Sequence, residues 1–366
     1  MTILLGVIGF FQIFTAFWPR QQDSIKLLFL GDIMQHEAQL HSACVDQSAP
    51  NHPNSYDYSS YFRDLHPIFE GVDIIAANIE TTFAAPPYRG YPSFNSPSSL
   101  AVECYNSGIN LFFAANNHIM DSGSKGLEST ISLYKRIGVP YMGIYRDSCD
   151  AKNNHPLIIE KKGVRIAFLN YTYGTNDIRV TPPYVVNLLD TISVKRDLIR
   201  TKELKPDKII VSVHWGEEYH LSPSPAQERW ERFFYRNGAH LIIGAHPHVP
   251  QPIRVYRGEE NRVERLTAFS LGNVISNMSA KNCRVGILLE ILLLKDSLNG
   301  VVTFGEPKVT LIWSKRGNGK TPFKVVPLER GIEQAQERGE LDGQYYLMRE
   351  YYNKFNNRVI DERANN

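Results

Sequence analysis

Short, unbroken apolar runs recur along this chain, and most of them break off into polar residues of the kinds that hold metal ions. The runs are Ile25 to Leu30, Val72 to Ala77, Ile109 to Ala114, Val164 to Leu169, Lys208 to Val213, His240 to Ile243 and Leu266 to Ser270. They are continuous rather than alternating, the pattern of strands covered on both faces. Helical patterns lie between several of them. Leu127, Ile131, Tyr134 and Ile137 follow helical spacing over Gly126 to Ile137, with Gly138 and then Pro140 as the stop. From Ser224 to Asn237 the signals are Ser224 as N-cap, Pro225 at the first helical position, Trp230 and Phe234 one turn apart, and Gly238 as C-cap. The chain is therefore read as α/β. Leu157 to Ile159 and Val164 to Leu169 flank Lys161-Lys162-Gly163, which predicts a hairpin and hence a mixed sheet.

With 366 residues and 43% hydrophobic content, the chain is long enough for one large α/β domain with insertions or for two ordinary domains, with a full core. Val285 to Leu294 is too short to span a bilayer and reads as a core strand. Lys and Arg number 40 against 38 Asp and Glu, a net +2 with no long basic stripe, so no nucleic-acid partner is expected. Cys44, Cys104, Cys149 and Cys283 lie far apart without a CxxC pair, which excludes a zinc ribbon or a thioredoxin-like motif and leaves room for one isolated disulfide.

Ile3 to Trp18 is an almost unbroken apolar run with no charge that would span roughly 24 Å as a helix, the length of a signal-peptide core or a short anchor. A buried N-terminal helix is the other reading of that run. The expected division is an apolar leader over 1–22, a main domain over 25–315 and a charged C-terminal extension over 316–366. Tyr345, Tyr346, Met348, Tyr351 and Tyr352 would pack that extension on the domain. Ala84 to Ser99 reads as a long loop.

In open α/β sheets ligands bind at the carboxyl ends of the strands. There the chain places Asp32, Glu80, Asn117, His214, His246 and His248. Each has an ordinary alternative: Asp32 as a helix cap, His214 as a core histidine, His246 and His248 as loop surface. Together they mix carboxylate, amide oxygen and imidazole without a thiolate, a set suited to divalent first-row ions such as Mn, Fe or Zn, one or two of them. His246-Pro247-His248 sets two imidazoles on one stiff turn. His118 is placed to donate a proton to a leaving group, and Asp121 to orient it. The alternative there is a turn in which Asn117 and Asp121 cap the next helix.

The segments GDIM (31–34), NIE (78–80), NNHIMDSGSKGL (116–127), HWGEEY (214–219), GAHPHVPQP (244–252) and FSLGNVISN (269–277) resemble, in order and spacing, the bacterial capsule-synthesis CapA family, also called the poly-γ-glutamate capsule biosynthesis family. The resemblance implies a four-layer αββα sandwich related to the calcineurin-like metallophosphoesterases, with a metal cluster at one sheet edge. It implies Asp32 as the first-motif aspartate, Glu80 as a bridging carboxylate, Asn117 as the amide ligand and His118 as the catalytic histidine. His214, His246 and His248 complete the set. Phosphoesterases of this type carry Asp-x-His in the first motif; here Met34 takes the histidine's place, with His36 the next imidazole along the chain.

Several functions are expected from this reading. One is an exported metal-dependent hydrolase of a phosphoester or amide-linked envelope polymer, membrane-anchored or secreted. A second is a non-catalytic accessory factor for polymer assembly, working with a membrane-embedded polymer synthase. A third is a nucleotidase-like phosphatase.

Overall fold

The structure, a computed structural model, describes residues 24–317, 321–356 and 359–364. The expected leader over 1–22 lies outside the described residues. In chain order the strands are β1 (Ser24–Ile33), β2 (Ile74–Ile79), β3 (Leu111–Phe113), β4 (Tyr141–Met142), β5 (Ile144–Tyr145), β6 (Leu157–Lys161), β7 (Val164–Thr172), β8 (Val185–Val186) and β9 (Lys208–His214). They continue with β10 (Leu241–Ala245), β11 (Ile253–Arg257), β12 (Val263–Ala268), β13 (Asn273–Ile275), β14 (Val285–Lys295), β15 (Val302–Phe304), β16 (Lys308–Lys315), β17 (Lys324–Pro327) and β18 (Ile360–Ala364). The α-helices are α1 (Glu37–Ala43), α2 (His66–Phe69), α3 (Ser98–Asn106), α4 (Gly123–Ile137), α5 (Ser148–Asn154), α6 (Thr191–Glu203), α7 (Pro225–Arg236), α8 (Leu328–Glu337) and α9 (Gly343–Phe355).

One sheet runs β17-β16-β14-β1-β2-β3-β4, with β13 added beside β1 and β15 beside β14. The other runs β18-β11-β12-β10-β9-β7-β6. Both are mixed: β1, β2, β3 and β4 are parallel while β14 is antiparallel to β1, and β7, β9, β10 and β12 are parallel while β6 closes a hairpin onto β7.

Alternate side chains of each strand point to opposite faces. Leu27 and Phe29 of β1 share one core with Phe168 of β7, Ile210 of β9 and Leu266 of β12, so the sheets stack face to face. Leu28 and Leu30, on the other face of β1, join Leu100 and Cys104 of α3 and Leu127, Ile131 and Tyr134 of α4. On the outer face of the second sheet, Leu169, Val211 and Ile242 pack with Val194 and Leu198 of α6 and Phe234 of α7. Two sheets with helices on both outer faces make the four-layer αββα sandwich, and explain the unbroken apolar runs.

Local signals set the helix ends. Gly138 follows α4 in the left-handed region, φ 75°, and its N–H donates to the Lys135 and Tyr134 carbonyls. Ser224 and Gln227 form a reciprocal capping box at the start of α7. That helix has Asn237 as its C-cap, one residue before the glycine expected there; Gly238, φ 102°, takes the left-handed turn just beyond it. After β17, α8 and α9 place Leu328, Ala335, Tyr345, Met348, Tyr351 and Phe355 in the same core as the inter-sheet residues, and β18 pairs with β11 as the last strand of that sheet. Tyr346, expected to pack, is 61% exposed. All four cysteines are free, so the isolated disulfide left open by the sequence does not form. No helix among the described residues is long and apolar enough to cross a membrane.

Candidate metal centre

Parallel strands of both sheets end at the same edge, and their last residues form the centre. Asp32, next to last in β1, is fully buried with β2 and β13 on its two sides. Its N–H donates to the Gly272 carbonyl at 3.0 Å. One carboxylate oxygen accepts from Asn78 Nδ2 at 2.7 Å; the other accepts the His246 N–H at 3.2 Å and lies 3.2 Å from His248 Nδ1. This approach of two backbones requires a glycine at position 31, where a Cβ would stand 1.8 Å from the Gly272 carbonyl oxygen.

Glu80 leaves β2 into the same buried space. Its Oε2 accepts from Asn78 Nδ2 at 3.3 Å, and its Oε1 stands 3.5 Å from His214 Nε2 and 3.7 Å from His248 Nε2. His214 ends β9, with Nε2 2.8 Å from Asn117 Oδ1. His246 and His248 follow β10 on a turn whose backbone is left-handed at both histidines, φ 96° and 58°. Non-glycine residues adopt that region at a cost, and such strain gathers at functional sites. The His214 and His246 rings are 4.8 Å apart, and Tyr173 lies against both, 4.7 Å from His246 and stacked at 6.2 Å on His214.

Two donor groups emerge, each with ligand atoms within 4.8 Å of one another: Glu80, His246 and His248, and Asp32, Glu80 and His214. Glu80 belongs to both. Neighbouring donors on an ion with bonds of about 2.1 Å lie about 3.0–3.5 Å apart, close to the separations found here. Two buried atoms, Glu80 Oε1 and His246 Nδ1, have no hydrogen-bond partner among the described residues. Such orphans are costly unless something satisfies them, and a divalent cation would satisfy both at once. The residues present therefore fit a metal centre.

The electrostatics agree. Burial, with the Asp32 and Glu218 charges, pushes the Glu80 carboxyl well above its ordinary range. Burial and the neighbouring imidazoles push His214 and His246 well below theirs, so these rings are neutral and carry lone pairs for a cation.

His118 stands beside this cluster on the loop after β3. Its Nδ1 is 2.7 Å from an Asp121 carboxylate oxygen, and the Phe94 ring meets it edge-on at 4.6 Å. With Met34, His36, Tyr91, Glu218 and His248 it lines a cavity of about 360 Å³. Every residue singled out from the sequence, Asp32, Glu80, Asn117, His118, Asp121, His214, His246 and His248, lies in this assembly. His36 does not join the donor groups: its Nδ1 accepts the Asn277 N–H at 3.3 Å, and burial lowers its pKa to about 4. Four further residues complete the site. Asn78 donates to both carboxylates, Asn273 Oδ1 is 3.0 Å from His248 Nδ1, and Asn176 links Asn117 to His118; the fourth is Tyr173. Asn78 and Asn273 sit inside strand-end motifs and were open to the same argument as Glu80. Tyr173 and Asn176 lie in the long connection after β7, which has no pattern to mark them.

A four-layer sandwich whose strands deliver carboxylate, amide and imidazole groups to one buried edge defines an α/β protein with a candidate metal centre at the sheet ends. The sequence model of the bacterial capsule synthesis protein family PGA_cap matches residues 26–278, and the chain belongs to that family. It is similar to the capsule biosynthesis protein CapA of Bacillus anthracis, 28% identical over 273 residues, or 70% of this chain and 61% of that protein. It is also similar to the PGA biosynthesis protein CapA of Bacillus subtilis, 26% identical over 284 residues, 75% of this chain and 69% of that protein. The chain thus spans about three-fifths of the Bacillus anthracis relative. Among solved structures it resembles a novel phosphatase from Mycoplasma pneumoniae, with a TM-score of 0.44 and 14% identity, covering 80% of this chain and 94% of that one.

Proposed function

We propose that this protein is a metal-dependent hydrolase of capsule or poly-γ-glutamate assembly, acting outside the cytoplasm, anchored or secreted, on a phosphoester or amide-linked polymer. It would work beside a membrane-embedded polymer synthase. The observation that carries the reading is Glu80, buried and shared between two donor groups, with one oxygen lacking a hydrogen-bond partner among the described residues. Asp32, Glu80, Asn117, His214, His246 and His248 would hold one or two divalent ions, Mn, Fe or Zn, which when bound supply an activated water and positive charge at the bond being broken. His118 then serves as proton donor to the leaving group through Nε2, because Nδ1 is held by Asp121. Phe94 backs the ring, and Asn117 beside it donates to Asn176 Oδ1 at 3.1 Å.

Metal analysis of the purified protein, with turnover assays on an aryl phosphodiester, a nucleoside monophosphate and poly-γ-glutamate, tests this. Bound metal and activity lost in His118→Ala are expected; no bound metal, or equal turnover in the variant, overturns the proposal. A nucleoside monophosphate turned over far faster than the rest would favour the nucleotidase-like reading instead. Cell fractionation tests the location, and recovery entirely in the cytoplasm would overturn that part.

One observation favours a second reading, an accessory role without turnover: Met34, buried at 2% exposure on the cavity wall, supplies a thioether where related phosphoesterases have an imidazole. A relative from Mycobacterium tuberculosis, 23% identical over 209 residues, is described as a probable polyglutamine synthesis accessory protein. Gene deletion that leaves surface polymer unchanged in amount, length and attachment would count against both readings.

A further inference from the structure

Beside the metal cavity lies a groove of about 840 Å³ lined by Arg63, Arg284, Lys315, Arg316, Lys324 and Arg338. Its acidic members are largely engaged. Asp64 pairs with Lys324 at 2.7 Å, and Asp342 accepts the Gln344 and Tyr345 N–H groups at the start of α9. Glu340 also lines the groove. Among the described residues, Arg63, Arg284, Lys315, Arg316 and Arg338 form no ion pair with any carboxylate, while Lys324 has one.

Arg284 and Arg316 are only partly exposed and are held by neutral groups. Arg284 lies 4.0 Å over the Trp313 ring and donates to the Ser314 carbonyl and Gln344 Oε1. Burial and the Arg316 charge bring its pKa down to about 10. Arg316 donates to the carbonyls of Asn277 and Met278, and its Nε is buried without a partner among the described residues. Partly desolvated guanidiniums without counter-charges are expensive, and a carboxylate is the group that their fork of donors matches.

The groove also has a direction. Asn277 and Met278, whose carbonyls Arg316 holds, line the metal cavity with His36, His118 and His248. One short loop therefore separates the cationic groove from the metal centre. Its lining has no aromatic side chain for base stacking and mixes Asp64, Glu340 and Asp342 among its cations, unlike the single-signed stacking surfaces that bind nucleic acid.

We propose that this groove binds a linear polycarboxylate and leads it past Asn277 and Met278 to the metal centre. The choice of a polycarboxylate rests on the function proposed above; the groove itself rests on its charges and position.

The test is fluorescence anisotropy of a labelled poly-γ-glutamate oligomer with the purified full chain, in chelator so that binding is read without turnover. Arg63 and Arg338 are exposed, so Arg63→Glu/Arg338→Glu should fold, with its melting temperature as the check; Arg63→Gln/Arg338→Gln is the milder companion. Kd should rise tenfold or more in the Glu pair and less in the Gln pair. Arg232→Glu, on the outer helix α7, should leave it within twofold. Unchanged affinity in the folded Glu pair overturns the groove whatever the turnover assays give. Affinity lost in that pair while the wild type hydrolyses nothing keeps the groove and removes the hydrolase. Polyphosphate of matched charge binding more tightly, and lost in the same pair, overturns the assignment to carboxylates.

Discussion

The Nδ1 of His118 lies 2.7 Å from an Asp121 carboxylate oxygen, and the same oxygen accepts the Phe94 backbone N–H at 2.7 Å. The Asp121 oxygen that meets the imidazole is thus held by a backbone hydrogen bond as well, and the carboxylate aims the ring. If His118 is the proton donor, His118→Ala should lower kcat by about 10²–10⁴. Asp121→Asn, which keeps the shape but not the charge, should lower kcat by a smaller factor with KM unchanged. Metal content, measured in parallel, should be the same in all three proteins. A loss of metal in Asp121→Asn would assign that residue to the centre rather than to the histidine.

Glu80 gives a test independent of turnover. A ligand that binds only the folded state stabilises it by about 2.7 kcal/mol at a hundred times its Kd. For a chain of this size that is a rise of about 4 °C in melting temperature. Addition of Mn²⁺ to chelator-treated protein should produce a rise of this order, and Glu80→Gln should abolish most of it, because Glu80 is common to both donor groups. An equal rise in the variant would remove Glu80 from the centre.

Much of this geometry was open to reading in the sequence for one physical reason. Parallel strands covered on both faces are unbroken apolar runs, so where each run stops, the next polar residue lies at the sheet edge where ligands bind. Asp32, Asn78, His214 and His246 all follow from that argument. The β2 run was less legible at its start: Val72 and Asp73 look like strand but lie before it, the Val72 N–H donating to the Phe69 carbonyl at 3.2 Å and the Asp73 carboxylate accepting the Lys26 N–H at 2.9 Å and a proton of Lys162 Nζ at 2.8 Å. Nor was β18 visible, since Ile360-Asp361-Glu362 has no apolar period and becomes strand only by pairing with β11. Tertiary contact supplies what local pattern lacks there.

Gly31 links fold and site in one residue. A methyl group there would meet backbone rather than a movable side chain, 1.8 Å from the Gly272 oxygen and 2.9 Å from its carbonyl carbon. Gly31→Ala must therefore push β1 away from the Gly272–Asn273 segment and stretch the Asp32 N–H bond to Gly272. Overpacking of this kind costs about 1–3 kcal/mol. The variant should melt lower by that amount and should also lose the Mn²⁺-dependent rise, since Asp32 moves with the strand. A variant that melts lower but keeps the full rise would separate the backbone approach from the centre.

Away from the metal centre, the Asp197 carboxylate meets His155 Nε2 and the Tyr171 hydroxyl, each at 3.2 Å. Burial pushes this carboxyl up, but the His155 hydrogen bond and charge, together with Arg196, outweigh it and hold the pKa below the usual value of 3.8. A carboxylate depressed in the folded state adds stability that is fully present above its unfolded pKa. That stability is lost as the pH falls through the lower folded value. Asp197→Asn should therefore cost about 1.5–3 kcal/mol at pH 7, the range for a hydrogen bond to a charged group. The gap in melting temperature from wild type should hold down to about pH 4 and narrow below it, as the wild-type carboxylate takes up a proton and resembles the amide. Calorimetry of both proteins across that range reads the difference directly, so groups that do not contact Asp197 cancel. A gap that stays constant into strong acid would mean that Asp197 contributes by shape alone and that its charge does not stabilise the fold.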